Sequence, residues 1–499
     1  MIDNISWITA YPEILLLGMA CVIALLDLGV KTPLRGLTYG LTQLTLAAVV
    51  LLTATYAMTG ETLSGFGGQV VSDPMGNWLK ACAALAMMVT FSYGRAYSAD
   101  RDMLRGGEIF TLGLFSLLGM FVMISGNHFL VIYLGLELLT LSGYALVALR
   151  RDNADSSEAA MKYFVLGALA SGFLLYGLSL VYGATGSLQL GEVMKAIAGG
   201  EATLKGSAQV LVLGLVFVVA GLAFKLGVVP FHMWVPDVYH GAPTAVTLMI
   251  GGAPKLAALA IVLRILVEGL QPLAFDWQQM LGVLAVSSLV IGNLAAIAQT
   301  NLKRMLAFST IAQMGFMLLA LVAGVVPGAA DNTANAYGAS MFYVITYVLT
   351  TLGTFGVILL LSRRGFEAEN LSDLAGLNRR SPLFAAVMAI CMFSLAGVPP
   401  MVGFYAKLSV LQALMASSQG WALWLAVFAV MMSLVGAFYY LRVVKVMYFD
   451  EPVTATTVSA SLDVRLVLSS NGLLVLLLGI FPGALMALCA DSIVSMLAV

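Results

Sequence analysis

Long apolar runs alternate with short polar connections along the whole chain. The pattern predicts fourteen helical spans, at about 11–28, 37–58, 74–93, 109–125, 127–149, 162–183, 208–230, 241–267, 279–299, 303–324, 338–361, 383–417, 422–445 and 465–489. A helix of about 20 residues crosses a hydrocarbon core about 30 Å thick, so runs of this length read as membrane spans. The predicted fold class is all-α, a polytopic membrane protein of about 14 transmembrane helices.

Composition agrees. Of 499 residues, 61% are hydrophobic and 10% charged, against about a quarter charged in soluble domains. A net charge of −1 offers nothing to a nucleic acid. Cys21, Cys82, Cys391 and Cys489 lie singly, without the C-x-x-C spacing that holds zinc or an iron–sulfur cluster. No glycine-rich phosphate loop follows a strand pattern, so no nucleotide site is expected.

Lys and Arg gather in alternate connections: Lys31 and Arg35, Arg95 to Arg105, Arg150 to Lys162, Lys303 and Arg304, Arg363 to Arg380, and Arg442 to Arg465. The opposite connections hold Lys195 and Lys205. Positive residues mark the cytoplasmic side. Both termini are therefore expected outside a bacterial cytoplasmic (inner) membrane, as an even number of spans requires. No Lys or Arg precedes Leu28, so the positive region of a cleaved signal peptide is missing and the first span is expected to stay.

Two stretches repeat. Met161, Tyr163 and Leu169 match Met341, Tyr343 and Leu349 at a constant offset of 180. Phe224-Lys225-Leu226-Gly227-Val228-Val229-Pro230 resembles Phe393-Ser394-Leu395-Ala396-Gly397-Val398-Pro399. Both pairs stand five spans apart, an odd number, so the matching helices cross in opposite directions, as in the inverted repeats of transporters. The expected organisation is one membrane domain: three helices in 1–107, a first repeat (spans 4 to 8) in 108–268, a second (spans 9 to 13) in 276–448 and a last helix in 463–499.

Four ionisable residues sit near the middle of hydrophobic spans: Glu137, Lys225, Lys255 and Lys407. A charge at the bilayer centre costs about 2.5–3.5 kcal/mol on insertion scales, and such residues face protein or water and mark ion pathways. Pro230, Pro254 and the Pro399-Pro400 pair sit beside these lysines. Proline removes an amide donor and clashes with the preceding turn, so helix breaks are expected there. The backbone groups set free are tolerated at membrane depth only against protein or a water-filled cavity. Desolvation disfavours a charged amine and a nearby carboxylate favours it. At about 4 Å and an effective dielectric near 20 that coupling is worth about 4 kcal/mol, enough to load or release a proton, and groups joined by water would form a relay.

His232 and His240 bracket Asp237 in the polar segment after the seventh span. Their titration range suits proton shuttling, and hydrogen-bonded turn residues are the other reading. Lys162 opens the sixth span and supplies charge to a relay or anchors a helix end. His128 reads as interfacial, and Asp27 as a solvated boundary residue.

The run from Phe224 through His232-Met233-Trp234-Val235-Pro236-Asp237 to His240-Gly241-Ala242-Pro243-Thr244 resembles the signature of the proton-conducting antiporter-like membrane subunits of respiratory complex I, the NADH-quinone oxidoreductase. The resemblance covers essentially the whole chain. It implies that Glu137 and Lys225 are a coupled pair, Lys255 a central relay and Lys407 the group exchanging protons with the outer face. It also implies that NADH oxidation, FMN, iron–sulfur clusters and quinone belong to partner subunits. This chain would bind no cofactor itself and would pack against neighbouring antiporter-like and small membrane subunits and lipid. Lys407, where one paralogue usually carries Glu, and the stop at Val499, where another continues into a long lateral helix, narrow its place in that family. Ser394 stands at the position matching Lys225 and Val238 at that matching Lys407, so the two halves are not expected to work as identical channels. Two alternatives stand beside this reading: a subunit of a multi-subunit cation/proton antiporter, and a non-pumping structural subunit. A solute carrier has less support, because no cluster of hydroxyl, amide and aromatic residues suggests a substrate pocket.

Overall fold

The computed structural model describes residues 4–200, 207–325, 332–417, 419–452, 458 and 460–498. Lys205, one of the two outer basic residues, lies outside the described residues. The chain runs α1 (Asn4–Thr9), α2 (Tyr11–Asp27), α3 (Gly36–Thr59), a hairpin of β1 (Leu63–Gly65) and β2 (Val70–Ser72), α4 (Pro74–Asp100), α5 (Glu108–Ser125), α6 (Phe129–Val147), α7 (Ala154–Thr185) and α8 (Leu190–Ala198). It continues through α9 (Ser207–Leu226), α10 (Trp234–Gly241), α11 (Thr244–Gly251), α12 (Pro254–Val262), α13 (Ala274–Ala298), α14 (Leu302–Val322) and α15 (Asn332–Leu361). It ends with α16 (Leu377–Arg380), α17 (Pro382–Ala396), α18 (Val402–Ala416), α19 (Gly420–Phe449), α20 (Leu462–Ile480) and α21 (Gly483–Leu497).

Among the described residues 11 helices are long and apolar enough to cross a membrane. The expected twelfth span is divided into α17 and α18, and the expected fourteenth into α20 and α21 across Phe481 and Pro482. Burial sorts the helices into centre and rim. The apolar windows of Thr244–Gly269 and α14 are each 94% buried, whereas those of α3 and α19 are 33% and 22% buried. Rim helices expose Leu44, Leu134, Phe164, Trp424 and Leu434, side chains that a lipid-facing surface accommodates without penalty.

Helices are interrupted at or next to the prolines of all three spans. α9 stops before Pro230 and α17 before Pro399 and Pro400; Val229–Pro230 and Pro399–Pro400 are cis. Gly227 and Gly397 terminate these helices at φ +77 and +86, a left-handed conformation that a Cβ disfavours. The eighth span is also discontinuous: Gly252 leaves helical geometry (φ −98, ψ −100) and Pro254 opens α12. The seven residues Leu263–Gly269 then widen into a π-helix.

Asp27 is not a solvated boundary residue. It is buried and accepts from Thr38 Oγ1 (2.5 Å), the Gly107 amide (2.7 Å) and Arg35 (3.1 Å), tying α2 and α3 to the start of α5. The charge cannot be left unpaired there, and three donors satisfy it.

One backbone pattern occurs twice. The Phe129 amide donates to Leu188 O and the Leu190 amide to Asn127 O, fastening the start of α6 to the segment after α7. The Leu302 amide donates to Glu369 O and the Leu371 amide to Thr300 O, fastening the start of α14 to the segment after α15.

Candidate functional site

Lys225 lies in the last turn of α9, and its Nζ is buried with no hydrogen-bond partner. It borders a cavity of about 30 Å³ lined by Thr140, Tyr163, Phe224, Trp234 and Pro254 among others. That space has room for a water, which needs roughly 10–15 Å³ by this measure. Trp234 is stacked on Phe224 and on Tyr163 and donates Nε1–H to Phe224 O (3.1 Å), which fixes the aromatic wall.

Glu137 and Lys225 form no ion pair within 4.0 Å, so the expected coupled pair is not in direct contact. The face of α6 toward the cavity carries Leu139, Thr140 and Gly143. Helical periodicity turns Glu137, three residues before Thr140, toward the edge of that face. Its Oε1 is buried without a partner.

The partner of Lys162 is Asp237, at 2.9 Å, with Glu158 at 2.8 Å. Arg304 also pairs with Asp237, at 2.8 Å. Burial raises the Asp237 carboxyl, but hydrogen bonds and charge from Lys162 and Arg304 outweigh it and hold the group below the ordinary carboxylate value. Burial lowers both His232 and His240. Lys303 donates to His240 O and Ala242 O, both 2.8 Å. These groups ring the start of α10 beside the basic connections.

Lys255 and Lys407 occupy related settings. Lys255, 1% exposed, donates to Leu226 O (2.8 Å) and Lys225 O (3.4 Å), the last carbonyls of α9. Lys407, 9% exposed, donates to Leu395 O and Ala396 O (both 3.0 Å), the last carbonyls of α17, and to Ser433 Oγ (2.8 Å). The final carbonyls of a helix lack intrahelical partners and carry the negative end of its dipole. An amine is thus held where each broken helix stops. Trp234 lies 5.7 Å from Lys255 Nζ and Phe316 5.1 Å from Lys407 Nζ. The bare faces of Gly227 and Gly397 make room: a Cβ would stand 3.6 Å from Lys255 Nζ and 2.9 Å from Lys407 Cδ.

Between these lysines the fold assembles a hydroxyl and amide network that the sequence reading missed. Gln313 Nε2 donates to Leu395 O (3.1 Å), the carbonyl that Lys407 also uses, and to Tyr440 OH (2.9 Å). Tyr343 OH donates to Gln313 Oε1. Tyr347 OH donates to Thr310 Oγ1 (2.8 Å), and Thr350 and Ser394 hydroxyls lie 3.3 Å apart. A cavity of about 10 Å³ lies among them. The signal was present: Tyr343, Thr346, Tyr347, Thr350 and Thr354 recur at helical spacing along one apolar span. A cluster of hydroxyl, amide and aromatic groups therefore exists.

Buried charges away from the predicted set were also missed. Lys80 pairs with Glu13 at 2.6 Å, and Arg264 with Asp73 and Glu268, each at 2.7 Å. Lys80 and Arg264 lie within apolar helices, so the rule that found Lys255 would have found them too. Ser125 Oγ donates to Glu13 Oε1 (2.6 Å), and Arg264 Nε donates to Ile124 O (3.2 Å).

The family model described as NADH:quinone oxidoreductase/Mrp antiporter, TM matches residues 126–433, which include the predicted lysines and the three helix breaks. The chain belongs to this family of antiporter-like membrane subunits. It is 68% identical to NADH-quinone oxidoreductase subunit N of Polaromonas naphthalenivorans over 99% of this chain and 98% of that protein. A chain of respiratory complex I from Thermus thermophilus with bound aureothin superposes with a TM-score of 0.78 at 33% identity, covering 96% and 99% of the two chains. A chain of the Mrp complex from Dietzia sp. has a TM-score of 0.82 at 20% identity, over 98% and 97%, a likeness of fold.

Proposed function

We propose that the chain is a proton-translocating membrane-arm subunit of an NADH-quinone oxidoreductase, coupling electron transfer in other subunits to proton movement through Glu137, Lys225, Lys255 and Lys407. FMN, iron–sulfur clusters and quinone belong to those partner subunits. One observation carries the reading: the amines of Lys255 and Lys407 sit inside the membrane on the last carbonyls of helices that stop there, and Lys225 borders a water-sized cavity. An amine in this setting exchanges a single proton, passing from ammonium to neutral amine, and Leu226 O and Leu395 O hold it in place in either form.

Protons enter from the cytoplasmic face, where Lys162, Asp237, His232 and His240 line the approach. They reach Lys225, pass to Lys255, cross the Thr310, Tyr347 and Gln313 network and load Lys407. Gln313 has no ionisable proton and serves to position the hydroxyls around it. Glu137, without a direct bond to Lys225, acts on it through the intervening space as a charge. The paired backbone bonds at α6 and α14 support an inverted repeat of 108–268 against 276–448, with 1–107 and 463–499 outside it. Basic connections support a bacterial inner-membrane location with both termini on the outer side.

The test is Lys225→Met and Lys407→Met in the assembled complex, scored as protons moved per NADH oxidised in membrane vesicles. Each variant is expected to assemble and to lower that ratio. Unchanged pumping in both removes the relay, and collapse of the complex with an unaltered ratio in what remains supports a structural subunit.

A further inference from the structure

We propose that the groove between α15, α18 and α21 is a hydrated outer vestibule through which protons leave Lys407, and that the Phe342 ring is the gate between the two. The inference rests on the relay reading and adds its missing exit. The groove encloses about 410 Å³. Asn335 and Gln412 stand exposed at its mouth, and Phe342 and Ser409 lie buried at its floor. None of the described residues lining it is charged, so among these side chains it conducts through water rather than through an ionisable group.

Asn332 shows that water belongs there. This side chain lines the groove and is 4% exposed. Its Nδ2 donates to Ala323 O (2.8 Å) and Ala413 O (3.0 Å), which fixes the amide, while its Oδ1 is buried without a protein partner. A buried acceptor left unpaired costs about 1–3 kcal/mol, which a groove water removes.

The groove stacks directly on the small cavity lined by Leu395, whose carbonyl accepts from Lys407. On α18, Ser409 faces the groove and Ala406, three residues earlier, faces the cavity. On α15, Phe342 faces the groove and Thr346, four residues later, faces the cavity. Residues three or four apart lie on one helix face, a single turn apart. Thr346 Oγ1 donates to Phe342 O (2.9 Å). One layer, filled by the Phe342 ring at 1% exposure, therefore separates the cavity that Gln313 lines from the outer space. With the ring displaced, water joins the two. The Lys407 ammonium then gives its proton to that water, the hydronium charge moves outward along the vestibule, and the amine left behind is reloaded from the Lys255 side.

The experiment uses the complex in membrane vesicles of both orientations. Gln412→Cys is expected to react with a charged, membrane-impermeant methanethiosulfonate from the outer face, roughly tenfold or more faster than from the inner face, because access to the thiolate sets its rate. The unsubstituted chain, with its own four cysteines, gives the background. Phe342→Ala is expected to let protons leak down an imposed gradient without NADH. Should Phe342→Ala not assemble, Ala339→Phe fills the vestibule above an intact gate and is expected to slow coupled pumping. An unreactive Gln412→Cys overturns the proposal, as do an assembled Phe342→Ala that leaks no faster than the unsubstituted chain or unaltered pumping in assembled Ala339→Phe. Lys407→Met in the same vesicles separates the two claims: pumping that survives it removes the relay, whatever the labelling shows.

Discussion

A lysine buried in a membrane needs acceptors, and Lys255 and Lys407 take theirs from helix ends rather than from carboxylates. A neutral or charged amine both fit beside a carbonyl, so the setting tolerates proton exchange. An ion pair instead favours the charged form, and the basic side has one at Arg101. There Glu367 accepts from Arg101 Nε (2.6 Å), Tyr97 OH (3.0 Å) and Arg150 (3.3 Å), joining three connections on the basic side. Burial raises the Glu367 carboxyl, but Arg101 outweighs it and the group lies below its ordinary value of 4.5. A lowered carboxyl stabilises the fold fully above 4.5, and that contribution is lost as pH falls through the lowered value. Glu367→Gln is therefore expected to lower stability at pH 7 by roughly 1.5–3 kcal/mol, the worth of a hydrogen bond to a charged group. Thermal unfolding at neutral and acid pH checks it: the gap between variant and parent should close in acid.

At the scale of elements, what matters is where helices stop. Gly397 ends α17 with φ +86, and a Cβ there would press on Lys407 Cδ at 2.9 Å. Gly397→Ala is expected to cost about 1–2 kcal/mol for the left-handed residue and to displace the amine from Leu395 O. The complex should assemble with a lower melting temperature and reduced protons per NADH. Normal pumping in the assembled variant would show that the position of Lys407 is not critical. The break before Pro230 and that before Pro399 were legible because proline acts on its own backbone. The interruption at Gly252 was assigned to Pro254 but not to the eighth helix as a whole, because glycine permits a break without requiring one.

For the molecule as a whole, the arrangement of basic connections gives a topology that can be measured. Asn335, at the start of α15, and Lys445, near the end of α19, lie on opposite sides under that topology. Cysteines placed there are expected to react with an impermeant reagent from the outer and inner faces respectively. Labelling of both from one face would break the assignment. The central helices hold the lysines, and the rim helices present apolar faces to lipid or to neighbouring subunits.

The sequence by itself determined the membrane class, the approximate spans, the breaks at proline and the mid-span positions of Lys225, Lys255 and Lys407, because each rests on local composition or on a single residue's covalent geometry. Only the tertiary structure decided what those residues touch. It joined Lys162 to Asp237, set Lys255 on the end of α9, left Glu137 and Lys225 without a direct ion pair and gathered Gln313, Tyr343 and Tyr440 from three helices. Spacing along a helix says which residues share a face, but which neighbour that face meets depends on how distant segments pack, and no local pattern in the chain carries that information.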